Sequence, residues 1–468
     1  MPKKTRNEQI MEHFNKAEKY HSAAVVQRIV AHRLSEHIAQ YFAGYNHKPQ
    51  TILELGCGTG LLTHNICHLW PQASIVATDY APRMLERAQR MFQTMALKNV
   101  HFHCMDIEHL DRDGPFDLIC GSLVLQWIAN PQKVLKRLSE RLAPNGMLAF
   151  STLVRGTFAQ WQAACEAVGG QSGIPYYPDF ADMQAMIPFP CVGLWQHERV
   201  THPFQSGLAF VQHLKETGAS VPRHESRPLS VTQFRGALRQ FEAMGSAVTW
   251  EVAYGCFRKP PRAGVFVTGT DTDVGKTVVS ACLMQRWRGS YWKPLQTGLA
   301  KENGDTATIQ QLVRNPVCFP PALACQAPLS PEAAARIEGI DIDPLRLTLP
   351  ESDPETPLII EGAGGVMVPI TDTHFMSDLM SLWGLPVVLV ARSGLGTLNH
   401  TLLTIEALRK RGMTLVGVVL NGPENPGNKQ AIEEKGHTRI LAELPPSGVL
   451  TPDKIDHLAQ KFPLWSDL

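Results

Sequence analysis

The stretch GTDTDVGKT, residues 269–277, decides the fold of the second half of this chain. It follows the apolar strand-like run AGVFVTG and continues into the helical pattern VVSACLMQRW. A loop of this kind presents backbone N–H groups at a helix N-terminus, where proteins bind phosphate. In such a loop Lys276 reaches the outer phosphates and Thr277 a magnesium ion. The sequence therefore predicts a P-loop nucleotide site.

A second glycine-rich stretch, ELGCGTG at residues 54–60, predicts another nucleotide-binding unit in the first half. It ends the strand-like run QTILEL, and strand-like runs then alternate with mostly helical patterns as far as GMLAFST. This alternation is typical of a parallel α/β sheet, in which ligands bind beyond the carboxyl ends of the strands. The binding residues are therefore expected directly after each strand.

Glycines and carboxylates stand at those positions. Gly56, Gly58 and Gly60 follow the first strand, where a missing side chain lets backbone approach a ligand. Asp79 ends the second strand about twenty positions later, a distance that suits hydrogen bonds to ribose hydroxyls. Asp106 ends the third strand, where its carboxylate could accept a hydrogen bond from an adenine amino group. The glycine turn alone is also compatible with a tight strand-to-helix connection, and Asp79 with a helix cap.

Composition limits the classes of protein that this chain can be. Its 468 residues predict two or three domains, and 44% hydrophobic with 19% charged residues describes a globular chain. The net charge of +1 gives no overall basic field for nucleic acid or membrane surfaces. No apolar segment follows the start MPKKTR, and no run approaches a membrane span. The ten cysteines form no CxxC pair or metal-spaced cluster, so we expect a cytoplasmic protein with reduced thiols.

The best seam between domains is FRKPPRAG, residues 257–264, where two prolines and a glycine separate two strand-like runs. We predict a first domain over residues 1–258, a linker over 259–263 and a second domain over 264–468.

The first half resembles the class I S-adenosylmethionine-dependent methyltransferases, a Rossmann-like α/β fold, through LELGCGTG and the two aspartates. The spacing of GCGTG disfavours a dinucleotide dehydrogenase, whose glycines follow GxGxxG. The resemblance implies S-adenosylmethionine as cofactor, with Glu54 near its amino acid moiety. It assigns cofactor binding to Glu54, Gly56, Gly58, Gly60, Asp79 and Asp106.

Two further stretches, STLVRGTFAQWQAA and GSLVLQWIANP, resemble malonyl-acyl-carrier-protein O-methyltransferase, over most of residues 10–258. The resemblance implies methylation of a free carboxylate on a malonyl-loaded acyl carrier protein. A carboxylate is a competent nucleophile at neutral pH, so positioning rather than a general base must supply catalysis. Arg155, after the fifth strand, is the candidate carboxylate clamp, or else an ordinary surface arginine. Tyr20 and His21 either close over the cofactor or pack on the sheet.

The second half resembles dethiobiotin synthase over residues 264–468. Gly269 stands one position earlier than in the common P-loop spacing, and Asp271 and Asp273 lie inside the loop. YWKPLQTG, IIEGAGG, APLSPEAAAR, SGLGTLNH and VVLNGP continue the resemblance. PLSPE is a candidate lid or a simple helix cap.

The resemblance assigns three groups of residues in the second half. The ATP-binding residues are Gly269, Asp273, Val274, Gly275, Lys276, Thr277, Val278, Asp305, Glu361 and Asn421. Thr277, Asp305 and Glu361 are the oxygen ligands of Mg²⁺. Thr297, Gly394, Leu395 and Gly396 are substrate residues, and GLGTLNH implies a homodimer interface.

This family closes the ureido ring of dethiobiotin from 7,8-diaminopelargonate, carbon dioxide and ATP. Lys276 and Lys293 are expected to neutralise phosphate and carbamate oxygens as the catalytic lysines. Lys293 could instead be a structural ion-pair lysine.

Together the halves predict a bifunctional biotin biosynthesis enzyme with two α/β domains. Two alternatives stay open at this point. The first half could methylate another small carboxylic acid, or it could be a cofactor-binding regulatory module fused to a P-loop ATPase.

Overall fold

The computed structural model describes residues 5–44, 48–95, 97, 99–219 and 227–468, so the lysines of the start MPKKTR lie outside it. The chain forms two compact units. The first contains the described residues up to Met186 together with Trp195–Phe257, and the second contains Ile187–Leu194 and Arg258–Leu468. The predicted ranges differ from these units mainly in the segment 187–194, because its assignment depends on tertiary contacts rather than on a local pattern.

The chain up to Arg258 contains helices and strands in alternation. The helices are α1 (Arg6–Lys16), α2 (Tyr20–Ala23), α3 (Val25–Gly44), α4 (Leu61–Leu69), α5 (Pro82–Thr94), α6 (Pro131–Glu140), α7 (Ala159–Glu166), α8 (Gly207–Glu216) and α9 (Val231–Ala243). The strands are β1 (Thr51–Leu55), β2 (Ser74–Asp79), β3 (Val100–Cys104), β4 (Phe116–Ser122), β5 (Leu142–Leu153), β6 (Val192–Pro203) and β7 (Ala247–Arg258). Short 3₁₀ turns lie at Leu125–Trp127 and Phe180–Met186.

These strands form one sheet in the order β3-β2-β1-β4-β5-β7-β6. The five strands predicted from the alternation are β1 to β5, and they pair in parallel. The strand order reverses at β1, between β2 and β4, and a crevice at such a point is where ligands bind. Strand β6 was not predicted, because its sequence VGLWQHERVTHP contains no long continuous apolar run. In the structure most of its residues are incompletely buried, which agrees with this composition.

A hydrophobic core lies on the face of this sheet that α3 covers. Val26, Val30, Leu34 and Ile38 are fully buried and recur every four residues, which places them on one face of the helix. They belong to the same buried cluster as Ile52 of β1. This packing fixes the sheet whose edge forms the first site.

The second unit has its own helices and strands. The helices are α10 (Lys276–Trp287), α11 (Gly304–Leu312), α12 (Pro331–Glu338), α13 (Met376–Trp383), α14 (Thr397–Lys410), α15 (Pro426–Gly436) and α16 (Pro452–Ala459), with 3₁₀ turns at Pro344–Arg346 and Trp465–Asp467. The strands are β8 (Gly264–Gly269), β9 (Ser290–Trp292), β10 (Leu295–Gln296), β11 (Val317–Phe319), β12 (Leu323–Ala324), β13 (Leu358–Gly365), β14 (Val387–Arg392), β15 (Leu415–Asn421) and β16 (Ile440–Leu444).

Seven of these strands form a parallel sheet in the order β11-β9-β13-β8-β14-β15-β16. Every residue of the central strand β8 is buried, as expected for a parallel sheet covered on both faces. The P-loop follows β8, Lys293 follows β9 and Glu361 lies in β13. Because neighbouring parallel strands end at one edge, these residues are brought together.

Within the described part of the chain, no helix combines the length and hydropathy needed to cross a membrane.

Candidate active sites

Four of the six residues predicted to bind a cofactor in the first unit line one cavity. Gly56 and Gly58 line it after β1, Asp79 after β2 and Asp106 after β3. Gly60 is not part of the lining; it adopts φ of 87° and begins α4 as its N-cap. The strand ends therefore place four of the six predicted residues around one ligand-sized space.

Asp79 connects the glycine turn to the end of β2. Its Oδ2 accepts a hydrogen bond from the Gly58 N–H at 2.8 Å, and its Oδ1 accepts one from the Ala81 N–H at 2.8 Å. Ala81, rather than Asp79, is the N-cap of α5. Each carboxylate oxygen has a further lone pair, so hydrogen bonds to a ligand in the cavity remain available. Burial raises the pKa of Asp79.

The glycine turn needs glycine for steric reasons. Gly56 adopts φ of 65°, and a Cβ there would lie 2.6 Å from Cγ2 of Val124. Any side chain at this position would displace Val124, which itself lines the cavity.

The amino-terminal helices form the opposite wall of the cavity. Ile10, Met11 and Phe14 of α1 line it together with Tyr20. The Tyr20 ring lies about 3.9 Å from where a Gly58 Cβ would stand. Burial first, and the Asp79 carboxylate second, raise the pKa of the Tyr20 hydroxyl, which stays protonated and can donate.

His21 contacts the same turn, since its Nδ1 lies 3.1 Å from the Thr59 hydroxyl. The sequence argument identified Tyr20 and His21 but missed the side chains of α1. Their signal was the spacing of residues 10, 11 and 14, which places an apolar stripe on one face of a helix.

Glu54 lies beneath the turn and is not part of the cavity lining. Its side chain is 1% exposed, and its Oε2 has no hydrogen-bond partner among the described residues. Burial raises the pKa of this carboxyl to about 8, and the nearby Asp79 carboxylate adds to the effect. With this pKa the Glu54 carboxyl is largely protonated at neutral pH.

Arg155 is not brought together with these residues. It follows β5 as predicted, but its side chain is 73% exposed and its Nε lies 2.8 Å from Oδ1 of Asp179. It is absent from the lining described for this cavity. The structure thus favours the alternative of a surface ion pair over the carboxylate clamp.

The P-loop of the second unit has the predicted strand–loop–helix form. Gly275 is the N-cap of α10 with φ of 96°, and the Lys276 Nζ donates to the Asp271 carbonyl at 3.0 Å. Asn421, at the end of β15, donates from Nδ2 to the Val274 carbonyl at 3.0 Å. Asn421 therefore contacts the P-loop from the end of β15, two strands from β8 in the sheet. This contact places it beside the loop that is predicted to bind the nucleotide.

Four predicted side chains form one polar cluster at the start of α10. The Thr277 hydroxyl lies 2.7 Å from Oδ1 of Asp305 and 3.0 Å from Oε1 of Glu361. The Lys293 Nζ lies 2.9 Å from Oδ2 of Asp305 and 3.1 Å from Oε1 of Glu361. One cation thus holds two carboxylates together next to the phosphate loop.

The charges in this cluster shift one another's pKa values. Burial alone would lower the pKa of Lys293, but the carboxylates of Glu361 and Asp305 outweigh burial and raise it. Burial opposes ionisation of Asp305, yet Lys293 and the hydrogen bond from Thr277 lower its pKa. Burial and the Lys293 charge lower the pKa of Lys276. A bound polyanion such as a nucleoside triphosphate would therefore stabilise the protonated form of Lys276, because its negative charge offsets burial and the Lys293 charge.

Two residues that the sequence argument did not select position this cluster. The Tyr291 hydroxyl donates to Oε2 of Glu361 at 3.0 Å, and Oε1 of Gln296 accepts from the Asp305 N–H at 2.9 Å. Both stand in YWKPLQTG, the stretch quoted for Lys293, so their proximity in sequence was the available signal.

The cluster fits a magnesium ion that also binds phosphate oxygens. The described residues contain no group of three or more His, Cys, Asp or Glu side chains placed to hold a metal. Thr277, Asp305 and Glu361 supply one hydroxyl and two carboxylates, which are the hard oxygen ligands that Mg²⁺ takes together with nucleotide phosphates.

The remaining predicted residues lie at or around this site. Asp273, Val274 and Val278 belong to the loop and first turn of α10, and Asp273 adopts φ of 54°. Thr297 follows β10. Gly396 is the N-cap of α14, and Leu395 before it is fully exposed. Among the described residues, Lys293 makes its polar contacts with Asp305, Glu361 and Gly362 and not with Gly394, Leu395 or Gly396.

Known proteins resemble this chain over both units. A methyltransferase domain model matches residues 46–206, and an AAA domain model matches residues 263–454. The biotin biosynthesis bifunctional protein BioCD of Bordetella avium is 45% identical over 455 residues, which is 97% of this chain and 95% of that protein. The ATP-dependent dethiobiotin synthetases of Paramagnetospirillum magneticum and Agrobacterium fabrum are 54% and 43% identical over 40% and 42% of this chain, and 90% and 93% of theirs.

The methyltransferase domain implies S-adenosylmethionine and the dethiobiotin synthetase domain implies ATP, as the two halves predicted. The matching relative extends across both units, so the two activities belong to one chain. This chain is a member of the family of bifunctional biotin biosynthesis proteins, with a methyltransferase domain followed by a dethiobiotin synthetase domain.

Proposed function

We propose that the first unit transfers a methyl group from S-adenosylmethionine to the free carboxylate of malonyl-acyl carrier protein. The cavity formed by Gly58, Asp79, Asp106 and Tyr20 carries this proposal, since it supplies hydrogen-bonding groups for ribose and adenine under an apolar cover. The methyl donor brings an electrophilic methyl group on a sulfonium. The carboxylate needs no deprotonation, so the protein's task is to orient the two reactants and exclude water.

We propose that the second unit binds ATP on the P-loop and closes the ureido ring of dethiobiotin from 7,8-diaminopelargonate and carbon dioxide. The cluster of Thr277, Lys293, Asp305 and Glu361 carries this proposal. Lys276 and Lys293 would neutralise phosphate and carbamate oxygens as charge moves between them. Thr277, Asp305 and Glu361 would hold Mg²⁺ against the phosphates.

A homodimer through the second unit is part of the proposal. The resemblance of GLGTLNH to the dimer-interface segment of dethiobiotin synthases supports it, and Leu395 in that segment is fully exposed.

The methyl transfer is tested with the purified whole chain, labelled S-adenosylmethionine and malonyl-acyl carrier protein. We expect a labelled methyl ester from the wild type, and strongly reduced transfer from Asp79→Asn. Asp113→Asn, an exposed carboxylate outside the cavity, is the matched control and should retain full activity. Absence of transfer by a preparation that still forms dethiobiotin would refute this acceptor.

The ring closure is tested by 7,8-diaminopelargonate-dependent ATP hydrolysis and dethiobiotin formation. Lys293→Ala should abolish both, whereas Lys301→Ala, at an exposed lysine in the segment after β10, should leave both unchanged. ATP hydrolysis that ignores the diamine would contradict the proposal.

A further inference from the structure

The side chain of Arg392 contacts the P-loop of the second unit from the neighbouring strand. Arg392 is the last residue of β14, which pairs directly with β8 in the sheet. Its Nη2 donates a hydrogen bond to the Thr272 carbonyl at 3.2 Å. Because Thr272 lies inside the loop that follows β8, this arginine is connected to the predicted phosphate site although it belongs to neither the loop motif nor the metal cluster.

Three side chains hold backbone carbonyls of this loop. Besides Arg392, the Lys276 Nζ donates to the Asp271 carbonyl and the Asn421 Nδ2 to the Val274 carbonyl, each at 3.0 Å. Lys276 is expected to turn toward the phosphates of a bound nucleotide. The contact of Arg392 can persist, because a P-loop binds phosphate through its N–H groups and leaves its carbonyls free.

Asp273 lies between two of these carbonyls in an unfavourable backbone conformation. Its φ is 54°, in the left-handed region that residues other than glycine adopt at a cost. Such a conformation persists only where the surrounding structure fixes it. The Thr272 carbonyl on one side is held by Arg392, and the Val274 carbonyl on the other side is held by Asn421. Arg392 therefore secures one side of the strained residue.

The left-handed turn at Asp273 affects where the N–H groups of the loop point. Successive N–H groups converge on an anion when left-handed and right-handed residues follow one another, as they do where this loop enters α10. If Asp273 relaxed to a common backbone conformation, the peptide groups on either side would rotate. Their N–H groups would then no longer converge on a phosphate.

We propose that Arg392 is a positioning residue for ATP binding, which holds the Thr272 carbonyl and thereby keeps Asp273 in the left-handed conformation that directs the loop N–H groups at the phosphates. The guanidinium acts through the loop and not by contact with a phosphate. The inference rests on the proposed binding of ATP to this loop.

The test is titration calorimetry of the whole chain with ATP and Mg²⁺, without 7,8-diaminopelargonate, so that no ring closure occurs. Arg392→Met removes a hydrogen bond from a charged donor, but the side chain is exposed and water competes for that bond. We therefore expect ATP binding to weaken about three- to tenfold. Arg392→Lys keeps one cationic donor and should recover most of the affinity.

Arg411→Met is the matched control. Arg411 is also exposed, and its Nη1 also donates to a backbone carbonyl, that of Ala407 at 3.4 Å, but it lies at the end of α14 away from the loop. This variant should bind ATP like the wild type. Arg392→Met and Arg411→Met should unfold at the same temperature, which shows that the loss of affinity is not a loss of fold.

Asp273→Gly separates positioning from direct contact with a phosphate. Glycine adopts positive φ without the cost, so the loop no longer needs Arg392 to hold that conformation. In the Asp273→Gly background we expect Arg392→Met to change the ATP affinity by no more than about twofold, whatever the affinity of the Asp273→Gly protein itself. A loss as large as in the wild-type background would overturn the inference, because it would indicate that the guanidinium contacts the nucleotide directly.

Equal ATP affinities of Arg392→Met and the wild type would also overturn the inference, while the proposed function would stand. If the wild type itself does not bind ATP, the proposed function fails, and this inference fails with it.

Discussion

Replacing Lys293 with methionine tests whether one cation holds the carboxylates of the second unit together. Methionine keeps an unbranched apolar stem but removes the ammonium that lies 2.9 Å from Asp305 and 3.1 Å from Glu361. Glu361 is 1% exposed, so its carboxylate would be left buried without a cation. The variant should therefore be less stable.

The size of the effect follows from the burial of each partner. Removal of one member of a buried ion pair typically lowers the free energy of unfolding by about 3–5 kcal/mol. The Asp305 side chain is 31% exposed, so water screens its attraction to Lys293. The loss of the Lys293–Asp305 pair therefore adds little to the free energy change. For a unit of about 200 residues, each kcal/mol changes Tm by about 2–4 °C. We expect the Tm of the second unit to fall by roughly 6–20 °C.

The pH of the measurement matters. The raised pKa of Lys293 means that its contribution is complete below its unfolded pKa of about 10.4 and is lost as the pH rises through the folded value. The lowered pKa of Asp305 means that its contribution is complete above about 3.9 and is lost as the pH falls through the folded value. The full difference is therefore present at pH 7.

The assay is calorimetry of the whole chain at pH 7, with and without millimolar Mg²⁺ but without nucleotide. Lys301→Met, at an exposed position, is the control and should melt like the wild type. Mg²⁺ should raise the Tm of Lys293→Met more than that of the wild type, because it replaces the missing cation. An unchanged Tm in Lys293→Met would refute the ion-pair argument, and an equal response to Mg²⁺ would refute the metal site.

Three further variants test the two glycine loops and the buried carboxylates. Asp79→Asn should weaken binding of S-adenosylhomocysteine about tenfold or more, since its amide group would face a backbone N–H; titration calorimetry against Asp113→Asn measures this, and equal affinities would contradict it. The pKa of Glu54, raised to about 8, implies that stability falls as the pH rises from about 4.3 to 8. Urea unfolding across that range should show that the free energy of unfolding of Glu54→Gln depends less on pH than that of the wild type. Equal pH dependence in the two proteins would show that Glu54 does not cause the loss of stability. Gly275→Ala should lower stability by about 1–3 kcal/mol and abolish ATP binding, because φ is 96° and the new Cβ would collide with Nδ2 of Asn421. Gly448→Ala, with open space around it, should be nearly neutral, and equal effects at both positions would argue against the steric reason.

The strand ends were predictable because each is a local pattern. An apolar run followed by glycine or aspartate marks the carboxyl end of a parallel strand, and that rule located Gly58, Asp79, Lys276 and Lys293. Arg155 also follows a strand, but it is not among the described residues that line the first cavity. Its exposed side chain pairs with Asp179 instead, and no pattern near either residue announces that pairing.

The sequence by itself predicted the two α/β units and their glycine loops, because these depend on residues a few positions apart. The activities expected of the two halves rested on resemblance to known families. Tertiary structure alone decided which distant side chains share a space. It placed α1 over the first cavity and set Lys293 between carboxylates from α11 and β13. Such groupings arise from packing across the sheet edge, where residues far apart in the chain become neighbours, and a one-dimensional pattern carries no record of them.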